Sequence, residues 1–278
     1  MHRVLAFALL LLASSCARAQ SPAPAPVTLA AAAIPAPAAP GLSAADVATE
    51  TARLRAVLAQ QVPGSRLPSA EQQQGWIRRT RAALERAGQR IDRPQLMVVV
   101  DRAPNVQAMV VMLAQPEGGA WEVLGGTRVS TGNVGRKYFY ITPTGVFPHT
   151  EAILGYRAEG TRNENGIRGL GARGMRVWDF GWQMARKGWR GNGDEGEIRL
   201  LLHATDPGIL EPRIGRRDSQ GCVRIPATMN LFLDRNGVLD YETGRAAETD
   251  RRFAALLGAQ QRTTLAGTLM VVVDSSES

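Results

Sequence analysis

The sequence predicts a mainly β domain with a few helices, preceded by a short helical N-terminal segment. Three observations predict this fold. Short apolar runs bounded by turn residues follow one another from residue 94 onward, the hexapeptide LMVVVD occurs at 96–101 and again at 269–274, and helical spacing of apolar residues dominates 43–93. Because nothing around the two hexapeptides matches, we interpret them as the first and last buried strands of one sheet and not as an internal repeat.

The first 42 residues predict export and tethering. Residues 4–13 are apolar but too short to span a bilayer, and the small-x-small sequence at 17–19 resembles a signal-peptide cleavage site. We therefore expect a signal peptide at 1–19 and an exported protein of the periplasm or cell envelope. Lipidation at Cys16 is the alternative, since a loose lipoprotein box precedes it. The Ala- and Pro-rich residues 20–42 predict a linker.

The charge of the chain is basic and almost entirely due to arginine. Loss of residues 1–19 removes Arg3 and Arg18 and no acidic residue, so the net charge falls from +8 to +6. A basic exported protein is expected to adhere to anionic polymers or lipid headgroups. Nucleic acid is not an expected partner in that compartment, and no transmembrane helix is expected.

The elements follow from local patterns. One helix is predicted from Ser43 to residue 61 and a second from Ser69 to residue 87, both expected to pack on the main domain as an N-terminal addition (43–93). Apolar runs at 96–100, 106–113 and 121–124 predict a strand meander.

The rest of the main domain is predicted with less regular structure. The glycine- and arginine-rich segment 155–193 predicts an irregular lid or groove loop, and helices are expected at 226–235 and 249–261. The main domain then spans 94–274, followed by a tail at 275–278.

Cysteine and histidine are scarce in the predicted mature chain. Cys222 is then the only cysteine, and His149 and His203 are the only histidines. A lone cysteine in an oxidising compartment is a buried inert thiol, an intermolecular disulfide partner or a reactive thiol. His203 ends an apolar run, which would place its ring at the mouth of a strand, whereas His149 beside Pro148 is interpreted as a surface residue.

No cofactor and no metal are expected. One cysteine and two histidines supply too few ligands for the usual tetrahedral zinc sets. Residues 169–174 fit the dinucleotide pattern GxGxxG, but no clear strand-turn-helix surrounds them, so we reject that interpretation.

Four short motifs lie between residues 129 and 224. They are Val-Ser-Thr-Gly at 129–132, Thr-Pro-Thr-Gly-Val-Phe at 142–147, a histidine at a strand end, and Ser-Gln-Gly-Cys-Val-Arg at 219–224. Together they resemble the catalytic domain of the L,D-transpeptidase (YkuD) family, over residues 94–274. The resemblance implies a β-sandwich. One departure is Gln220, where the family usually carries histidine, and it implies altered pH dependence or acceptor choice.

The resemblance also implies a reaction. Cys222 would be the nucleophile and His203 the general base and acid, with the main-chain carbonyl of Ala204 orienting the imidazole. The thiolate would attack the bond between diaminopimelate and D-alanine of a peptidoglycan stem, form a thioester and transfer the acyl group to an amine of an acceptor stem. We expect a low-pKa thiolate paired with the imidazole, and acylation of Cys222 by carbapenems.

Further site residues are expected near the thiol. The backbone N–H groups of Gly221 and Cys222 are candidate oxyanion donors. Arg224 is expected to hold a substrate carboxylate, and the aromatic residues either line the groove or anchor the loop to the core. The expected substrate-binding residues are Arg224, Ser219, Gln220, Trp178 and Trp182.

Several alternatives stay open. Papain-like peptidases are excluded, because no histidine follows Cys222. A sortase-like transpeptidase shares the order of histidine before cysteine, but its Thr-Leu-x-Thr-Cys signature is missing. An L,D-carboxypeptidase or a lipoprotein-attaching enzyme would share the acyl-enzyme step. Gln220 raises the further alternative of a catalytically dead envelope-binding protein.

Overall fold

A computed structural model describes residues 41–277, which form a mixed α/β fold with two sheets. Helix and strand each account for 25% of it, so the structure does not clearly show the mainly β composition that the sequence predicted. The predicted signal peptide, the lipidation site Cys16 and nearly all of the linker lie outside the described residues. Within residues 41–277, no helix is both long and apolar enough to cross a membrane.

The helices form where capping residues precede apolar periodicity. Their bounds are Ala44–Gln61 (α1), Ala70–Arg86 (α2), Ala227–Arg235 (α3), Tyr241–Ala246 (α4) and Arg251–Leu257 (α5). Ser43 and Ser69 cap α1 and α2 through capping boxes completed by Asp46 and Gln72, which confirms both predicted helix starts. The predicted helix at 226–235 is confirmed as α3, α5 is shorter than predicted, and α4 was not predicted.

The larger sheet has the strand order β3-β2-β1-β9-β4. Its strands are Gln95–Asp101 (β1), Ala108–Ala114 (β2), Glu122–Arg128 (β3), Gly145–Pro148 (β4) and Leu269–Val273 (β9). β1, β2 and β3 pair antiparallel, which confirms the predicted meander. The two hexapeptide copies lie side by side in parallel as β1 and β9, with Val98 opposite Met270, so the identical letters are offset by one residue.

Both faces of this sheet are covered. Every residue of β1 and β9 is buried, which explains why their sequences are continuous apolar runs and not alternating ones. On one face, Leu54 and Leu58 of α1 join the main hydrophobic cluster. On the other face, Trp76 and Ile77 of α2 join a second cluster with β1, β2, β3 and β9. The N-terminal helices therefore complete the core on both sides of the sheet.

The smaller sheet has the order β5-β6-β7-β8. Its strands are Tyr156–Arg157 (β5), Arg176–Arg186 (β6), Glu195–His203 (β7) and Val223–Arg224 (β8). The expectation of an irregular loop throughout 155–193 was therefore wrong for β6. A register shift between Asp179 and Trp182, with Gly181 at φ +77°, interrupts the alternation that would have indicated a strand. The main hydrophobic cluster receives side chains from both sheets.

Candidate active site

Cys222 and His203 lie on the same face of the smaller sheet. β7 and β8 run parallel, with Leu202 opposite Val223 and His203 opposite Arg224. Leu202 and Val223 point into the main hydrophobic cluster, so their neighbours along the chain point to the other face. Cys222, which directly precedes β8, packs there against a small cluster that includes Leu201. The strand pairing thus brings together two residues that are 19 positions apart in the chain.

The His203 imidazole is held at the end of β7. Its Nδ1 donates a hydrogen bond to the carbonyl oxygen of Ala204 at 2.5 Å, which is the contact that the family resemblance implies. Because Nδ1 carries the proton, Nε2 is the basic nitrogen of the neutral ring. His203 as a whole is 4% exposed. Burial is the main cause that lowers the pKa of His203 from 6.5 to about 4, and the nearby charge of Arg224 lowers it further.

The Cys222 thiol is also held in its neutral form. Burial is the main cause that raises its pKa from 9.0 to about 11, against the opposing effects of a Leu201 backbone hydrogen bond and the charge of Arg224. The thiol donates to the carbonyl oxygen of Arg199 at 3.5 Å. No hydrogen bond joins it to the imidazole within residues 41–277. Both shifts disfavour the expected low-pKa thiolate and favour a neutral thiol beside a neutral base.

The loop before Cys222 has a fixed conformation. The Ser219 hydroxyl donates to the carbonyl oxygen of Cys222 at 2.6 Å and accepts from the Gly221 N–H at 3.1 Å. Gly221 has φ +128°, and its own carbonyl accepts from Thr142. Because the Gly221 N–H already has an acceptor, the structure does not favour it as an oxyanion donor. The Cys222 N–H donates to no other group in the described part of the chain, so it is the better candidate.

The other two polar candidates in this loop differ in exposure. Gln220 is exposed, and its backbone carbonyl accepts from the Tyr140 N–H. Arg224 is half-buried, its Nη1 donates to the carbonyl oxygen of Asp218 at 2.7 Å, and its backbone pairs with Ser130. Arg224 therefore stabilises the loop from within. One of its terminal nitrogens is already used, so fewer donors remain for a substrate carboxylate.

The two aromatic candidates differ in burial. Trp178 is fully buried in the main cluster and its indole Nε1 donates to Asp240, so it does not fit direct contact with a substrate. Trp182 is 62% exposed and lies opposite Arg199 in the strand pairing. The prediction of a surface position for His149 was wrong, because this residue is fully buried.

Three residues next to the thiol were not predicted. Arg199 and Asp179 form an ion pair in which the arginine Nε contacts both carboxylate oxygens at 2.9 Å. Tyr156 of β5 lies opposite Val177, which in turn lies opposite His203. Burial is the main cause that raises the pKa of Tyr156, followed by the charge of Asp179. The signal that could have revealed Arg199 is its spacing, since residues 199, 201 and 203 lie on one face of a strand.

No family model matches the chain, and no curated protein matches its sequence. The function therefore has to be argued from the site itself.

Proposed function

We propose that this protein is a cysteine acyltransferase of the L,D-transpeptidase type, acting on peptidoglycan stem peptides. The observation that carries the proposal is the placement of Cys222 and His203 on one face of adjacent parallel strands, with the His203 Nδ1 bound to the Ala204 carbonyl. That hydrogen bond leaves Nε2 free to take the thiol proton as the sulfur attacks. The four sequence motifs support the same proposal, and with them we propose that the two sheets pack as the β-sandwich of that family.

In the proposed reaction, the Cys222 sulfur attacks the carbonyl carbon between diaminopimelate and D-alanine. The proton of the thiol passes to His203 and then to the departing D-alanine amine, which leaves a thioester. An amine of a second stem attacks this thioester, loses its proton to His203 and restores the thiol. The Cys222 N–H is the proposed donor to the oxyanion. Cross-linking of two stems is the outcome that we favour.

The test uses the protein without residues 1–19, as wild type and as Cys222→Ala, each incubated with disaccharide-tetrapeptide. Mass analysis of a transpeptidase reaction shows a dimer that has lost one D-alanine, with the wild type alone. Fragmentation then identifies the acylated amine. Monomer that only loses D-alanine would indicate an L,D-carboxypeptidase. Incubation with a carbapenem is the second readout, because acylation adds the mass of the drug to the wild type and not to Cys222→Ala.

A second candidate is an envelope-binding protein without catalysis. The observation that favours it is the thiol itself, whose pKa is raised to about 11 and whose hydrogen bond goes to Arg199 and not to the imidazole. Gln220 in place of the usual histidine points the same way. This candidate predicts equal binding of stem peptides by wild type and Cys222→Ala, with no product and no drug adduct from either.

A further inference from the structure

An arginine-tryptophan pair stands beside the thiol on the open face of the smaller sheet. Arg199 is two residues before Leu201 and four before His203 on β7, so all three side chains point to the same face. The carbonyl oxygen of Arg199 itself accepts the hydrogen bond of the Cys222 thiol. Any substrate whose scissile carbonyl lies at the sulfur must therefore pass close to this residue.

The guanidinium of Arg199 is held along one edge and open at the other. Its Nε contacts both oxygens of Asp179, whose side chain is 7% exposed, while the Arg199 side chain is 40% exposed. Within residues 41–277, neither terminal nitrogen of Arg199 donates a hydrogen bond. The buried carboxylate thus fixes the orientation of the guanidinium and leaves its terminal nitrogens unused. Such a preorganised pair of donors matches the two oxygens of a carboxylate.

Trp182 supplies a flat apolar surface next to these donors. The Arg199 guanidinium lies over the Trp182 ring at 5.6 Å from its centroid, and the indole is 62% exposed. The indole thus offers an exposed apolar face beside the terminal nitrogens of Arg199. By contrast, Arg224 already donates to the Asp218 carbonyl, and burial lowers its pKa.

We propose that Arg199, positioned by Asp179 and Trp182, binds a substrate carboxylate within one residue of the scissile bond. In terms of the proposed function, on which this inference rests, the ligand is the D-alanine carboxylate or the side-chain carboxylate of diaminopimelate. Arg199 is then a specificity-determining residue, and Asp179 is a positioning residue that acts through it. Arg224, the arginine nearest to Cys222 in sequence, has a structural role in the loop.

The experiment measures binding and needs no turnover. Disaccharide-tetrapeptide is titrated calorimetrically into Cys222→Ala, together with two analogues in which either the D-alanine or the diaminopimelate side-chain carboxylate is an amide. We expect one of the two amides to bind about tenfold or more weakly, the size of effect of a charge-assisted hydrogen bond. In the double variant Cys222→Ala/Arg199→Gln, we expect the free peptide to bind as weakly as the affected amide binds to Cys222→Ala. Amidation of that carboxylate should then weaken binding to the double variant no further.

Controls separate binding from folding and net charge. Arg186→Gln removes one positive charge from an exposed position of β6 and should leave the affinity unchanged. Arg199→Lys keeps the charge without the fork and should recover only part of the affinity. Thermal unfolding checks that the variants fold. The comparison of amidated with free peptide in Cys222→Ala needs no substitution at Arg199, so it does not depend on the folding of an Arg199 variant.

The inference is overturned if both amides bind as well as the free peptide, if amidation weakens Arg199→Gln as much as its parent, or if no peptide binds. Carboxylate-dependent binding without any product from wild type would retain the inference and reject the transpeptidase proposal. If product forms equally well after both amidations and in Arg199→Gln, the transpeptidase proposal is retained and the inference about Arg199 is rejected.

Discussion

Burial has moved Cys222 and His203 in opposite directions on the pH scale, and both shifts favour the neutral form. The thiol pKa is raised to about 11 and the imidazole pKa is lowered to about 4, with burial the first cause of each. A neutral imidazole is the correct form for a general base, and a neutral thiol needs one. Activation by proton transfer as the substrate arrives therefore fits the site better than a preformed ion pair.

The alkylation rate of Cys222 should report this state directly. Because burial raises the thiol pKa to about 11, we expect the rate with iodoacetamide to rise about tenfold per pH unit up to about pH 10, with no plateau near neutrality. His203→Ala should change this profile little, since no hydrogen bond joins the two groups in the described structure. Rates are measured by mass spectrometry, with circular dichroism at each pH as the folding control. A plateau below pH 7 that disappears in His203→Ala would establish the ion pair instead.

The residues of the site were predictable from the sequence to different extents. Cys222 and His203 could be singled out because the predicted mature chain contains so few thiols and imidazoles. Their protonation states could not be predicted from the sequence, because desolvation depends on which side chains cover the two groups. The spacing along β7 could have indicated Arg199, but its pairing with Asp179 could not be predicted, because such a pair is recognisable only when the partner strand and its register are known.

At the scale of elements, the loop that presents Cys222 depends on one glycine. Gly221 has φ +128°, a region that side-chain-bearing residues avoid, and a Cβ there would lie 2.7 Å from the Ile198 Cδ1. The Ser219 hydroxyl bridges across the same residue, from the Cys222 carbonyl to the Gly221 N–H. The orientation of the thiol is therefore set by the loop backbone as much as by β8.

Gly221→Ala should consequently destabilise the fold and misplace the thiol. We expect the free energy of unfolding to fall by about 1–3 kcal/mol, from backbone strain and crowding together. Urea titration measures the fall, and the alkylation rate of Cys222 at pH 9 measures the displacement of the thiol. Gly118→Ala is the matched control, because Gly118 also has positive φ, +84°, but open space around it. Equal effects of the two substitutions on alkylation would contradict the proposed role of Gly221.

Whether a strand could be predicted depended on its surroundings. β1 and β9 were found because burial on both faces makes each a continuous apolar run. Their parallel pairing and one-residue offset are tertiary properties that the letters do not contain. β6 was taken for a loop because its segment is rich in glycine and arginine, and one of these arginines, Arg176, is fully buried with its charge balanced by Asp240 at 3.1 Å. A buried arginine looks like a surface residue until its distant partner is known.

For the whole molecule, the N-terminal helices are part of the core. α1 and α2 cover opposite faces of the larger sheet and bury large side chains in both hydrophobic clusters. A protein that lacks residues 41–93 would expose apolar surface on both faces of that sheet, at a loss of about 1.5–3 kcal/mol for each large side chain uncovered.

We therefore expect the fragment 94–278 to lack a cooperative urea transition, whereas the protein without residues 1–19 unfolds in one. Circular dichroism and the fluorescence of a dye that binds exposed apolar surface follow the two proteins side by side. Removal of residues 20–40 alone serves as the control for shortening the chain. A fragment that unfolds cooperatively at an unchanged urea midpoint would show that the helices are dispensable.

The position of β9 determines when the larger sheet can close as the protein is synthesised. Among the strands of residues 41–277, β9 is the last to be made, yet it lies inside the larger sheet between β1 and β4, which have no direct pairing with each other. Until residues 269–273 are available, β1 has an open edge and β4 has no partner in the sheet. The larger sheet thus cannot close before β9 has been made, and chains that stop before residue 269 are left with an unpaired strand edge that chaperones or proteases must handle.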